Sequence, residues 1–179
     1  MSAMIALLRG VNVGKGKPVA MDALAAMMAA LGFAGARTLL RSGNIVFDPR
    51  GQAPEALEAL LQRELEARLG LKSQVFVRTA EAWRQALAHN PFPEKAAGDP
   101  SHLLLYALKE APGPDRLEAL QAAIPGPERI GGFERHLYVD FPAGIATTTL
   151  TPALWARFLP PGTGRNWNTA RKLAAMAED

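Results

Sequence analysis

The sequence predicts an α+β fold of two consecutive ferredoxin-like units, each β-α-β-β-α, with a C-terminal helix after the second copy. Short β-compatible apolar runs alternate with stretches whose leucines recur at helical spacing. Two glycine-bearing turns, Ser42-Gly43-Asn44 and Gly131-Gly132, fall at matching places in the two halves. The order of elements around each turn is the same.

Ala3–Leu8 is apolar, short and ends at Gly10, which reads as a buried first strand. Leu24, Met27, Met28 and Leu31 sit at i, i+3, i+4, i+7, one face of a helix that Gly32 stops. Ala36–Arg41 and Ile45–Asp48 flank the first turn, where Gly and Asn tolerate positive φ, so they pair as a hairpin. Pro54 suits the first turn of a helix striped by Leu57, Leu60, Leu61, Leu65 and Leu69 and ended by Gly70. Gln74–Arg78 is a fourth strand, which completes a unit over residues 1–78.

A helix carrying Trp83 and Leu87 ends at Asn90-Pro91-Phe92-Pro93 and leads into a linker through Pro100, so residues 79–100 are read as the boundary. The second unit, residues 101–179, opens with strand His102–Leu108 and a helix marked by Leu117, Leu120 and Ile124. Strands Glu128–Ile130 and Arg135–Phe141 flank the second turn. Thr151 is placed as an N-cap with Pro152 at the first helical position. A final helix after Asn168 stands where the last strand of the unit is expected.

Composition bounds the chemistry. The 179 residues include no cysteine, which excludes disulfides, thiolate nucleophiles and cysteine-ligated zinc. That fits a reducing compartment, and a cytoplasmic location is expected. The apolar stretch Met4–Leu8 is too short for a signal peptide or a membrane span, and Arg9 follows it. A net charge of +3 tilts the reading toward anionic partners. No pair of His or carboxylate residues has metal-ligand spacing, so no metal site is expected.

Split-βαβ geometry brings the loop after strand one and the hairpin turn to one edge, which makes 10–18 and 41–44 neighbours. The loop Arg9-Gly10-Val11-Asn12-Val13-Gly14-Lys15-Gly16-Lys17-Pro18 follows a strand and precedes a helix, a setting in which backbone N–H groups face anions. It is not a P-loop. Gly10 and Gly14 are separated by three residues where that motif has four, and Gly16 stands where a hydroxyl would hold magnesium. Thr163-Gly164-Arg165-Asn166-Trp167-Asn168-Thr169 concentrates hydrogen-bonding groups around one tryptophan. Its structural account has Asn168 capping the last helix and Trp167 packed in the core. Its functional account has Arg165 and Asn166 holding a phosphate or carboxylate beside Trp167. His136, Tyr138 and Asp140 alternate with Leu137, Val139 and Phe141, the pattern of a strand with one solvated face. RNA-type recognition through aromatics on the central strands is disfavoured, since Met4–Leu8 carries none and the third strand only Phe47.

Four segments together resemble the bacterial domain-of-unknown-function family 1697. They are Ala6–Gly14, Arg37-Thr38 with Ser42–Phe47, Asn90–Pro93 and Arg165–Thr169. The resemblance implies a duplicated α+β fold, and it implies no activity, cofactor or catalytic residues. Where that family shows a Gly-Arg-Ser-Lys-Leu-type run, this chain has Ala146-Thr147-Thr148-Thr149-Leu150 and so lacks both basic side chains. Arg41 stands where Gln is usual.

The expected function is binding, or turnover, of a small anionic ligand such as a nucleotide or phosphorylated metabolite. Arg9, Asn12, Lys15, Lys17, Arg41, Ser42, Asn44, Arg165, Asn166 and Trp167 are the expected ligand-binding residues. A nucleic-acid-binding module using the same basic residues is the alternative. A structural or protein-interaction domain is the third reading.

Overall fold

The first apolar run forms β1, Met4–Leu8, and all five of its side chains are buried. The computed structural model describes residues 2–12 and 18–178. It is a mixed α+β structure, with two four-stranded antiparallel sheets and seven α-helices among the described residues. The chain forms two compact units, Met1–Gln85 with Lys172–Asp179, and Ala86–Arg171.

In the first unit β1 is followed by α1 (Met21–Ala30), β2 (Arg37–Leu39), β3 (Asn44–Phe47), α2 (Pro54–Leu69) and β4 (Val75–Thr79), and the sheet order is β2-β3-β1-β4. Alternate side chains Met4, Ala6 and Leu8 join Ile45, Phe47, Val75 and Val77 on one face. Against them pack Leu24, Met27 and Met28 of α1 and Leu57, Leu61 and Leu65 of α2. Burying each such side chain contributes about 1.5–3 kcal/mol, so these two leucine and methionine stripes hold both helices on the sheet. Pro54 begins α2 and Gly70, in the left-handed region, ends it, as the sequence implies. The edge of β4 is closed by α2, since Val75 N–H donates to Gln62 Oε1 at 3.0 Å and Val77 N–H to Glu58 Oε1 at 2.8 Å. The first turn runs over residues 40–43, beginning two residues earlier than expected and ending one earlier. Leu40 and Gly43 take positive φ, and Asn44 is already the first residue of β3.

Between the first unit's last strand and the next strand lie α3 (Ala80–Ala88) and α4 (Pro93–Gly98), so the expected linker contains a helix. The second unit continues with β5 (Leu103–Leu108), α5 (Pro114–Ala123), β6 (Arg129–Phe133), β7 (His136–Asp140), α6 (Pro152–Phe158) and β8 (Gly162–Asn166), and α7 (Trp167–Glu178) begins in this unit and ends in residues of the first. Its sheet order is β6-β7-β5-β8. Leu104, Leu108, Leu137 and Val139 pack against Leu120 of α5 and the residues around α6. Thr151 caps α6 by accepting from the Leu154 N–H.

Three expectations for this unit are corrected. A strand, β8, precedes the last helix; its Gly-Thr-Gly-Arg-Asn sequence has no apolar run to betray it. Gly131 and Gly132 lie inside β6, and the turn is Glu134-Arg135, with Glu134 at positive φ. These glycines serve close packing: a Cβ on Gly131 would stand 2.7 Å from Pro91 Cγ, and one on Gly132 2.5 Å from Leu117 Cδ1. Finally, the His136, Tyr138 and Asp140 face of β7 is buried, not solvated. Tyr138 Oη donates to the Ala86 carbonyl, and Lys95 pairs with Asp140 at 3.3 Å, so the boundary segment, with its expected helix and linker, covers that face.

Candidate functional site

The register of β1 on β3, Leu7 opposite Asn44, sets the end of β1 beside the hairpin turn. Leu8 N–H donates to the Gly43 carbonyl at 2.9 Å, which extends that pairing past the strand. Asn12, at φ 54, then turns the chain and clasps both sides of the gap. Its Oδ1 accepts from Val19 N–H at 2.7 Å, and its Nδ2 donates to the Val19 carbonyl at 3.0 Å and the Arg41 carbonyl at 2.6 Å. Asn44 is fully buried; its Nδ2 donates to the Leu39 carbonyl at 2.8 Å and to Ser42 Oγ at 2.9 Å. Asn12, Ser42 and Asn44 therefore spend their side chains on shaping the edge. The meeting of the first loop with the hairpin is as the topology predicts, and Lys15 and Lys17 lie outside the described residues.

Below the clasp opens a cleft of about 450 Å³ lined by Asn12, Pro18–Asp22 and Arg41. Among the described residues its lining offers one guanidinium, one carboxylate and a wall formed by Pro18, Val19 and Met21. Among the described residues neither Arg41 nor Asp22 has a side-chain partner. Arg9 stands on the same strand end but donates to Gln74 Oε1 at 2.8 Å. Asp22 was not singled out in the sequence, where an acid in a helix first turn reads as dipole compensation.

The first unit has a larger cleft, about 520 Å³, at the start of β1, which sequence reasoning missed. Among the described residues most of its charges are already engaged, Glu178 excepted. Arg84 pairs with Glu81, Arg37 donates to the Met176 carbonyl, and Asp48 Oδ1 accepts from Arg50 N–H.

The other expected ligand residues lie on β8 and the start of α7. Arg165 is 8% exposed, and its Nη1 donates to Thr163 Oγ1 at 3.0 Å and the Gly164 carbonyl at 2.8 Å. Burial lowers its pKa to about 10. Asn166, not Asn168, caps α7: its Oδ1 accepts from Thr169 N–H at 2.9 Å. Trp167 is buried, as its packing account has it.

The threonine run at 147–149 belongs to a different constellation. Glu128, 4% exposed, accepts from Thr148 Oγ1 at 2.7 Å, Thr149 N–H at 2.6 Å and Thr149 Oγ1 at 2.8 Å. Burial pushes its carboxyl up, but these hydrogen bonds together outweigh burial and hold it down at about 2. Nearby in the same unit, Asp140 accepts from Arg129 Nε at 3.0 Å and Nη2 at 2.7 Å, with Lys95 3.3 Å from its other oxygen. Among the described residues no group of three or more His, Asp or Glu side chains is placed to hold a metal ion. No helix among them is long and apolar enough to cross a membrane.

A family model described as "Protein of unknown function (DUF1697)" matches residues 1–138. The chain belongs to the DUF1697 family. The match takes in the clasp, the hairpin and Glu128, and ends before the Arg165–Thr169 segment. The solved structure of the conserved bacterial protein SP0830 from Streptococcus pneumoniae is similar to this DUF1697 chain, with a TM-score of 0.73 at 20% identity. The similarity covers 98% of each chain, and at that identity it speaks for the fold alone. No curated protein matches the sequence.

Proposed function

We propose that this DUF1697 protein binds a small anionic ligand, a nucleotide or phosphorylated metabolite, at the turn edge of its first unit. Arg41 supplies the cation that meets the ligand, Arg9 adds positive potential, Lys15 and Lys17 add further positive charge to the sequence of the first loop, and Asn12, Ser42 and Asn44 hold the edge in shape. One observation carries the reading: the cleft of about 450 Å³ presents an Arg41 guanidinium with no partner among the described residues. An exposed guanidinium beside a preformed concavity is suited to planar, forked recognition of phosphate or carboxylate. Each unit is, in the same proposal, a ferredoxin-like unit. The repeat is supported by the two sheet orders, β2-β3-β1-β4 and β6-β7-β5-β8, which are the same permutation. The corresponding edge of the second unit carries a smaller cleft of about 290 Å³ along Ala111–Pro114 and Gly132–Glu134, with Glu134 its only charge. The lining of that second cleft thus holds no cation, although Arg135 lies in the neighbouring turn. The cysteine-free composition supports placing this binding activity in the cytoplasm.

Calorimetric titration with adenosine monophosphate tests the reading. Arg41→Ala is expected to weaken binding by about 10- to 150-fold, the effect of losing hydrogen bonds to a charged group. Equal affinity in the variant, or no binding by the wild type, removes the proposal. Tight binding of single-stranded oligonucleotides with a steep salt dependence would assign the same cations to nucleic acid instead.

A further inference from the structure

Asp22 is the unexpected member of the Arg41 cleft. A site built to attract anions gains nothing from an exposed carboxylate on its wall, and the start of α1 tolerates many other residues. In the first turn of α1 Asp22 offsets the helix dipole, and among the described residues its carboxylate has no side-chain partner, so its oxygens face the cleft with their acceptor capacity unused by those residues. The carboxylate accepts hydrogen bonds and donates none at neutral pH, so it selects ligand groups that donate. The opposite charge of Arg41 lines the same cleft, and Pro18, Val19 and Met21 form an uncharged wall there.

We propose that Asp22 is the specificity-determining residue of this cleft and that its ligand is a phosphate monoester of a polyol, a sugar phosphate or a mononucleotide. The inference rests on the anion-binding reading and deepens it. Such a ligand offers the phosphate that Arg41 attracts and hydroxyl donors for Asp22, while its ring lies against the wall. A polyphosphate or nucleic-acid strand brings a second negative group toward Asp22, where like charges repel. Rejection is thereby built into the site as well as attraction.

The test measures binding of ribose 5-phosphate, inorganic phosphate and pyrophosphate to the wild type, Asp22→Asn, Asp22→Glu and Arg41→Ala. The wild type is expected to prefer ribose 5-phosphate to the two inorganic anions by tenfold or more. Asp22→Asn is expected to lose that preference and to bind pyrophosphate several-fold more tightly. Asp22→Glu, which keeps the carboxylate, is expected to retain most of the preference and so separates charge from helix-start effects. If ribose 5-phosphate and phosphate both bind through Arg41 while Asp22→Asn leaves their ratio unchanged, the role of Asp22 is overturned and the anion site stands. If the wild type binds none of the three, or Arg41→Ala binds them equally well, the anion site itself fails.

Discussion

Glu128 shows how a single buried carboxylate can organise a long loop. Two threonine hydroxyls and one backbone N–H converge on it, and Gln121 Nε2 donates to its carbonyl at 2.9 Å. Its carboxyl is held at about 2 against an ordinary 4.5. A depressed pKa means the unfolded state binds the proton more readily. The stabilisation is therefore complete above pH 4.5 and is lost as the pH falls toward 2. Urea midpoints measured from pH 6 to pH 2.5 are expected to fall more steeply for the wild type than for Glu128→Gln. Parallel curves would show that this carboxylate is not what the loop depends on. Asn166 is the second case. With its Oδ1 on Thr169 N–H, Asn166→Ala is expected to cost about 1 kcal/mol, the usual loss of an N-cap, and Asn168→Ala close to nothing. Denaturant titration of the two variants separates them. Buried Arg165, bonded to Thr163 and Gly164, is expected to cost about 1.5–3 kcal/mol of stability on truncation to alanine.

At the scale of the element, glycine spacing in the second unit is set by neighbours. On β8 a Cβ at Gly164 would lie 2.6 Å from Tyr106 Cε1, and Tyr106 is itself tilted against Trp155 with ring centroids 4.8 Å apart. The ring cannot retreat without disturbing the α6 contact. Gly164→Ala is therefore expected to destabilise by about 1–3 kcal/mol through overpacking, read as a lowered unfolding midpoint. Gly35→Ala, where a Cβ meets nothing within 4 Å, serves as the comparison and should be far milder. Edges follow a common device in both units. Gln62 and Glu58 of α2 satisfy β4, and Gln121 Oε1 of α5 accepts from Ile130 N–H of β6 at 2.8 Å. Helix side chains thus occupy N–H groups that would otherwise template another strand.

For the whole molecule, binding at one edge of one unit must appear as stabilisation of the folded chain. A ligand held only by the native state adds about 2.7 kcal/mol at a concentration one hundred times its Kd. Thermal unfolding in the presence of a sugar phosphate is expected to shift upward for the wild type and not for Arg41→Ala. A shift retained in that variant would place the ligand elsewhere.

Long periodic helices and uninterrupted apolar strands were legible in the sequence because their signals are local. The α2 leucines, the Pro54 start and the Gly70 stop need only spacing to be read, and the Met4–Leu8 run needs only apolarity. The first turn was legible to within two residues, and its meeting with the loop carrying Asn12 was legible too, since it follows from topology. Strand β8 was not legible. Its glycines exist to admit Leu108, Tyr106 and Trp155, residues more than five positions away in sequence, and nothing apolar marks it. The burial of His136, Tyr138 and Asp140 was not legible either. An alternating strand reads as half-solvated until something covers its polar face, and here Ala86 and Lys95 supply partners from the segment between the two sheets, whose packing its own pattern does not reveal. For the candidate site, residue chemistry picked out Arg41 and Asn12, but only the fold set Asp22 in the same cleft. Local composition determines those elements whose signal is an apolar run or a helical period. Which polar side chains hold the backbone and which stand open to a ligand is decided by non-local packing, because only packing settles what is left for each donor and acceptor to meet.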